Sequence, residues 1–367
     1  MARIVISGYY GFQNTGDEAV LYSIIRALKL LEPSLEITAL SHNPKHTKEN
    51  FGIKAVNRWR LSAIAKAISQ SDLLISGGGS LFQDVTGPKS LIYYLGIVVL
   101  ARLLKKPVII YAQGLGPLKH SWSRWLTAKV LNNVQLITLR DSESRQFLEG
   151  LGVKKPPVYV TADPVLGLKP ENLDLESGKE KWEQLGLEKP VIGISVRSWP
   201  GAKSFWPILA RVADDLVNKG WNILFLPFHF PSDVDACRQV ARLMHNPSVI
   251  LKENMDLSKI MAIIGELDFL IGMRLHALIM SAIMGVPFLA LSYDPKVSSL
   301  ARLTEQPLIS SLTNVTYKKF SQAVEEALLC LEDNKDKVEK AVIDLRPRAL
   351  DTARLVTEFL WKGIIDG

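Results

Sequence analysis

Cysteine is nearly absent from this chain of 367 residues. Cys237 and Cys330 are the two present, each alone in a helical pattern. Two isolated thiols exclude a disulfide framework and the usual spacing of a zinc site, and a reducing compartment is the simple reading. Long apolar runs are missing too. The longest, Leu91 to Leu104, is broken by Arg102 and is shorter than the roughly 20 residues of a membrane span, so it is expected as a buried helix. No secretory leader is read, since Arg3-Ile4-Val5-Ile6 is already strand-like and runs into a glycine-rich loop. The expected location is therefore the cytoplasm. An RNA-binding signature, a zinc finger and a long Lys/Arg block are all missing, which argues against a nucleic-acid partner. Internal repeats and low-complexity tracts are not evident.

What the chain does have is size and alternation. Its length exceeds one ordinary core, and domains of about 100–200 residues are the usual outcome. With 47% hydrophobic and 22% charged residues it falls among globular proteins. The formal charge of +7 favours anionic partners without choosing among them. Strands are predicted at Ile4–Ser7, Leu35–Leu40, Asp72–Ser76, Val108–Ala112, Leu136–Leu139 and Val158–Thr161, with amphipathic helices between them. Leu166 to Lys189 reads as a charged, Gly- and Pro-containing connection. The alternation then restarts at Val191–Val196, Ile223–Leu226, Val249–Leu251, Phe269–Ile271 and Phe288–Leu291. Helical material from about Tyr317 to Trp361, interrupted by Pro347, ends the pattern. Near-continuous apolar strands alternating with helices predict parallel sheets covered on both faces. The predicted architecture is α/β: two doubly wound, Rossmann-like domains over 1–170 and 190–340, a linker at 171–189 and a helical segment at 341–367. Such domains bind ligands at the carboxyl ends of their strands, here in a cleft between them.

The first such end reads Ser7-Gly8-Tyr9-Tyr10-Gly11-Phe12-Gln13-Asn14-Thr15-Gly16-Asp17-Glu18. Its glycines do not follow G-x-G-x-x-G, so a dinucleotide fingerprint is not supported. A loop between strand and helix start still binds anions through backbone N–H groups, which makes Asn14 and Gly16 candidate contacts. Asp17 and Glu18 read either as the ordinary acidic first turn of a helix or, for Asp17, as a general base. Ser76-Gly77-Gly78-Gly79-Ser80 lets the backbone approach closely, to a ligand or to a neighbouring strand. Arg140 stands at another strand end, facing a ligand or pairing with Asp141, and Ser142 is the candidate cap of the next helix.

The segment Phe269-Leu270-Ile271-Gly272-Met273-Arg274-Leu275-His276-Ala277 predicts a strand, a glycine turn and a helix running to Gly285. Arg274 and His276 fall at that helix's N-terminus. A cation there opposes the macrodipole, so a compensating anion is expected. Lys296 follows the next strand and Arg197 ends the first strand of the second half. Arg140, Arg197, Arg274, His276 and Lys296 form a basic set at strand ends, unlike a hydride-transfer pocket and suited to carboxylate and phosphate.

Together the first loop, Gly77-Gly78-Gly79 and Arg274-Leu275-His276-Ala277 resemble the polysaccharide pyruvyl transferases, most closely the CsaB type of Gram-positive cell walls. The resemblance covers nearly the whole chain and rests on the order of these motifs, since each short piece is weak alone. It implies a glycosyltransferase-B-like architecture and a reaction between phosphoenolpyruvate and a sugar. It further implies, as acceptor, an N-acetylmannosamine residue of a lipid-linked secondary cell-wall polysaccharide precursor. The product would carry a 4,6-linked pyruvate ketal, the docking feature for S-layer homology domains. By the same resemblance Arg140, His276 and Lys296 are donor-site candidates supported by Arg274, and Asp17 is the candidate base, with His276 as the second catalytic candidate. No cofactor or metal is required by that chemistry.

A lipid-linked acceptor implies work at the inner face of the cell membrane. Leu118 to Lys129 mixes basic residues with Trp122 and Trp125, which reads as a basic surface helix with its tryptophans in the core or as a contact for an anionic membrane surface. Two rival functions stay open: a nucleotide-sugar glycosyltransferase of the same architecture, and a non-catalytic module that binds an anionic ligand.

Overall fold

The computed structural model describes residues 1–85 and 87–365, without the side chains of residues 202, 203 and 362–365. The chain forms two compact units. The first comprises Met1–Phe12, Asp17–Gly167 and the chain from Leu345 onward, and the second comprises Gln13–Gly16 and Leu168–Asp344.

In the first unit the order is β1 (Arg3–Tyr10), α1 (Thr15–Leu31), β2 (Glu36–Ser41), α2 (Pro44–Phe51), β3 (Lys54–Asn57), α3 (Leu61–Ser69) and β4 (Leu73–Ser76). Then come α4 (Pro88–Leu103), β5 (Val108–Gln113), α5 (Ser121–Leu131), β6 (Leu136–Leu139), α6 (Ser142–Gly150) and β7 (Val158–Val160). The strands pair in the order β3-β2-β1-β4-β5-β6-β7, every pair parallel. The central strands are buried along their length, since helices cover both faces and no residue needs to meet water. Strand order reverses between β1 and β4, where α/β sheets open a crevice at their carboxyl ends.

The second unit runs α7 (Glu176–Leu185), β8 (Val191–Ser195), α8 (Ala202–Asn218), β9 (Asn222–Phe225), α9 (Ser232–Ala241), β10 (Val249–Ile250) and α10 (Leu257–Gly265). It continues with β11 (Phe269–Gly272), α11 (Leu275–Ile283), β12 (Phe288–Leu291), α12 (Pro295–Leu303), β13 (Leu308–Ile309), α13 (Tyr317–Leu329) and α14 (Leu331–Ile365). Its parallel sheet has the order β10-β9-β8-β11-β12-β13, so the reversal lies between β8 and β11.

Three expectations change. The stretch read as a linker contains α7, which packs on α10, because Gly178 leaves room for Ala262 and the Lys259 backbone. The terminal helical segment is no separate body: α14 contributes to both units, passing from one to the other at Leu345, two residues before Pro347. The apolar run around Leu91–Leu104 does become a helix, but α4 is buried on one side only. Its outer side exposes Ile92 (52%), Val99 (41%) and Leu103 (75%). Among the described residues, no helix is long and apolar enough to cross a membrane.

Candidate active site

Both reversal points carry the residues singled out by the sequence. In the first unit, the turn after β4 runs alongside the loop after β1. A side-chain carbon at Gly77 would overlap the Tyr10 hydroxyl, and one at Gly78 would come 2.9 Å from Val20. These two glycines therefore have a packing reason within the protein. Gly79, at φ +102°, is the one beside a functional candidate: a carbon there would lie 3.3 Å from Asp17 Oδ1.

Asp17 and Glu18 form the first turn of α1, where the helix dipole favours carboxylates. Glu18 does more than decorate that turn. Its Oε1 accepts the Gly11 N–H at 2.7 Å and clamps the loop, while Oε2 is buried without a partner among the described residues. Burial raises its pKa from 4.5 to about 7, with the Gly11 N–H pulling down and Asp17 pushing up. The sequence offered no sign of this, because burial is a tertiary property.

Arg140 is buried and committed to carboxylates on both sides. Nη1 meets Asp163 at 3.1 Å, Nε lies 3.6 Å from Asp141, and Nη2 donates to Ser80 Oγ at 3.0 Å. Gly114 has no side chain because one would overlap the guanidinium. Arg140 thus ties the turn after β4 to the end of β6. The helix after it is capped by Asp141, whose side chain accepts from Ser144 N at 2.6 Å, and not by Ser142. The helix starts one residue earlier than expected, and aspartate caps as well as serine.

In the second unit, the segment Gln13–Gly16 joins the end of β9. Thr15 N donates to Phe228 O at 2.8 Å, Phe230 N donates to Gln13 O at 3.1 Å, and Asn14 bridges His229. Gly16, held also by Asn14 Oδ1 at 3.2 Å, sits against His276, whose ring a side-chain carbon would overlap. That brings Asn14, Gly16 and His276 together. Helix α11 is buried at every position except His276, which is partly open at the strand edge.

The anion expected beside Arg274 is part of the protein. Arg274 makes a two-pronged pair with Asp233, and Asp233 Oδ2 also accepts the N–H groups of Phe228 and His229. Lys296 pairs with Asp294 at 3.1 Å in the first turn of α12. Arg197 differs from all of these. Nη1 donates to Tyr293 Oη at 2.9 Å and the guanidinium lies 4.9 Å from that ring, yet no carboxylate pairs with it among the described residues. Its Nε is buried with no partner among them. Arg197, Arg274, His276 and Lys296 leave the ends of β8, β11 and β12, three adjacent strands. Asp163, Asp233 and Tyr293, which set these cations, escaped the sequence reading. No group of three or more His, Cys, Asp or Glu among the described residues is arranged to hold a metal.

A model of the polysaccharide pyruvyl transferase family matches residues 14–295. The chain belongs to that family. The match runs from Asn14 to the proline before Lys296, so it covers Asn14–Glu18, Gly77-Gly78-Gly79 and Arg274-Leu275-His276-Ala277, and begins after Ser7–Phe12 of the first loop. Family membership makes the chain a pyruvyltransferase type of polysaccharide biosynthesis. A relative, the amylovoran biosynthesis protein AmsJ of Erwinia amylovora, is 22% identical over 84% of this chain and 88% of its own. Among solved structures, Anabaena Alr3699/HepE in complex with UDP-glucose superposes with a TM-score of 0.70 at 13% identity, covering 99% of this chain and 100% of that one. A putative UDP-N-acetylglucosamine 2-epimerase from Listeria monocytogenes gives 0.67 at 14%, covering 100% and 97%. These likenesses establish the fold, two parallel-sheet α/β domains of glycosyltransferase-B-like type, shared by this pyruvyl transferase family member.

Proposed function

We propose that the protein transfers the pyruvyl group of phosphoenolpyruvate to an N-acetylmannosamine residue of a lipid-linked cell-wall polysaccharide precursor. The observation that carries this is Arg197, a guanidinium with no carboxylate partner among the described residues at the strand reversal of the second unit, on one of three adjacent strands whose other two are followed by Arg274, His276 and Lys296. Phosphoenolpyruvate presents a carboxylate and a phosphate, and cations fixed by their own aspartates bind such an anion without reorganising. In the reaction, a sugar hydroxyl attacks carbon 2 while carbon 3 gains a proton. The bond from carbon 2 to the phosphate oxygen breaks, a second hydroxyl closes the 4,6-ketal, and inorganic phosphate leaves. Asp17 takes the hydroxyl proton as general base. His276 serves the donor as acid or anion contact, and Arg197, Arg274 and Lys296 hold its charges. Asn14 and Gly16 position the loop against His276, and Gly79 keeps Asp17 accessible. Arg140 acts through Ser80, holding the turn that contains Gly77, Gly78 and Gly79.

The lipid carrier places the work at the inner face of the cell membrane, with the protein cytoplasmic and peripheral. The surface supports it. Between Asp84 and Asp141 the sequence has no acidic residue, while Lys89, Arg102, Lys105, Lys106, Lys119, Arg124 and Lys129 lie in that span. There the neighbouring helices α4 and α5 expose Ile92, Val99 and Leu103 beside Trp122 (42%) and Trp125 (62%). The tryptophans are outside the core, as a membrane-interface reading needs.

Phosphate release from phosphoenolpyruvate with a synthetic ManNAc-GlcNAc acceptor tests the reaction. Arg197→Ala, His276→Ala and Lys296→Ala are expected to weaken donor binding or turnover tens-fold or more, since losing one charged partner costs about 2–5 kcal/mol. Asp17→Asn is expected to keep donor binding and lose turnover. Thermal stabilisation by UDP-glucose but not by phosphoenolpyruvate would transfer the assignment to a nucleotide-sugar enzyme.

A further inference from the structure

We propose that an aromatic belt at the carboxyl ends of β1, β2 and β3 binds the pyranose rings of a saccharide, with Trp59 as its stacking platform. That the saccharide is the acceptor rests on the reading above; that the belt binds sugar rings does not.

The belt is built from loops that follow adjacent strands. Tyr9 and Phe12 come from the end of β1 and its loop, His42 follows β2 directly, and Trp59 follows β3 by two residues. Tyr9 and Phe12 stack with centroids 4.1 Å apart, and Phe12 and His42 stack at 4.5 Å, both nearly parallel. Trp59 meets His42 edge-on at 6.4 Å and Tyr93 of α4 at 5.7 Å. Trp59 Nε1–H donates to His42 Nδ1 at 3.0 Å, so Nδ1 is the acceptor nitrogen and Nε2 carries the proton in the neutral ring.

Beneath these rings lies Arg58, buried to 3% exposure. Its guanidinium carbon is 4.2 Å from the Tyr93 ring, 5.0 Å from Phe12 and 5.2 Å from Trp59. Nη1 donates to Gly8 O at 2.9 Å, which pins the start of the β1 loop. No carboxylate pairs with Arg58 among the described residues, and its Nε is buried without a partner among them. The rings themselves supply the compensating electron density.

Rings gathered for packing would be covered. Here Tyr9, Phe12 and Tyr93 are half-buried, while Trp59 is 59% exposed in spite of its neighbours and His42 is exposed as well. A large, rigid amphipathic surface that loses little entropy on contact is what a binding platform needs. Its chemistry fits a pyranose, which has an apolar C–H face to lie on the indole and a rim of hydroxyls to meet the imidazole N–H. The placement fits too. Phe12 follows Gly11, whose N–H is held by Glu18, and Glu18 is the residue after the candidate base Asp17. The belt residue Phe12 and Asp17, in the first turn of α1, thus lie on either side of the short connection Gln13–Gly16.

The test measures binding of the ManNAc-GlcNAc disaccharide to the full chain, without donor, by calorimetry and saturation-transfer NMR. Trp59→Ala is expected to weaken it about tenfold, the size of a lost aromatic contact, with Trp59→Phe recovering most of it. Phosphoenolpyruvate binding is expected to stay at the wild-type value, and the variant to remain folded with a modestly lower melting temperature from the lost Arg58 contact. In turnover assays the acceptor KM rises and kcat holds. Disaccharide binding unchanged in Trp59→Ala overturns the proposal. So does binding of UMP, and not the disaccharide, that depends on Trp59, which would make the belt a nucleobase site. Sugar binding through Trp59 without pyruvyl transfer would sink the proposed reaction and leave the belt standing. Transfer with an acceptor KM indifferent to Trp59 would do the reverse.

Discussion

Gly16 shows what a single missing side chain does here. The His276 ring occupies the space a methyl group would need, and the ribbon Gln13–Gly16 is fixed by backbone bonds to Phe228 and Phe230. Gly16→Ala must displace one of them. We expect turnover to fall far more than stability, whose loss from such overpacking is about 1–3 kcal/mol. Activity assays beside thermal melts check this, and a variant with normal turnover would mean the ring position is unimportant. Glu18 makes a different prediction. Its folded-state pKa of about 7 lies above the ordinary 4.5, so the fold binds a proton that the unfolded chain releases between those values. The resulting stabilisation is complete below the unfolded value and is lost as pH rises through 7. Denaturant midpoints measured from pH 4.5 to 7.5 should fall less steeply for Glu18→Gln than for wild type. Parallel curves would show that Glu18 is not buried in its neutral form.

Among the elements, α5 depends on a residue far from it in sequence. His120 at its N-cap provides no side-chain cap. Asp84 instead anchors the chain entering the helix, accepting the N–H groups of Lys119 and His120 and the hydroxyl of Ser123 in its first turn at 2.6–3.1 Å. Asp84→Ala leaves those donors unmet and is expected to cost about 1–3 kcal/mol, read as a lowered denaturant midpoint. The strand pattern at this scale was largely legible. Runs such as Leu73–Ser76 and Phe288–Leu291 are continuous and apolar because both sheet faces are covered. Two edge strands escaped. Lys54–Asn57 is short and half exposed, and Leu308–Ile309 is two residues long, so neither leaves a hydrophobic signature.

For the molecule as a whole, charge and exposed apolar surface converge on α4 and α5. The acid-free span between Asp84 and Asp141 gives that side a positive field, and Trp122 and Trp125 give it interfacial rings. The protein is expected to sediment with anionic vesicles at low salt and to release at high salt, where the field is screened. Trp122→Ala with Trp125→Ala should reduce sedimentation without unfolding, since both side chains are exposed. Equal sedimentation with neutral vesicles would remove the electrostatic part of the idea.

The sequence by itself determined the α/β alternation, the doubly wound pattern and the strand-end positions of Asp17, Arg140, Arg197, Arg274, His276 and Lys296. Those follow from local period and from glycines and charges at loop starts, which need no knowledge of distant residues. Only the tertiary structure decided what each charge faces. Arg274 meets Asp233, Arg140 meets Asp163, and Gly16 meets His276 through sheet register and helix packing set over long separations in the chain. The expected anion beside Arg274 was therefore right in kind and belonged to the protein itself. Arg197 was left without a carboxylate for the same reason: which charges are neutralised is a property of neighbours in space, and a lone sequence orders them only along the chain.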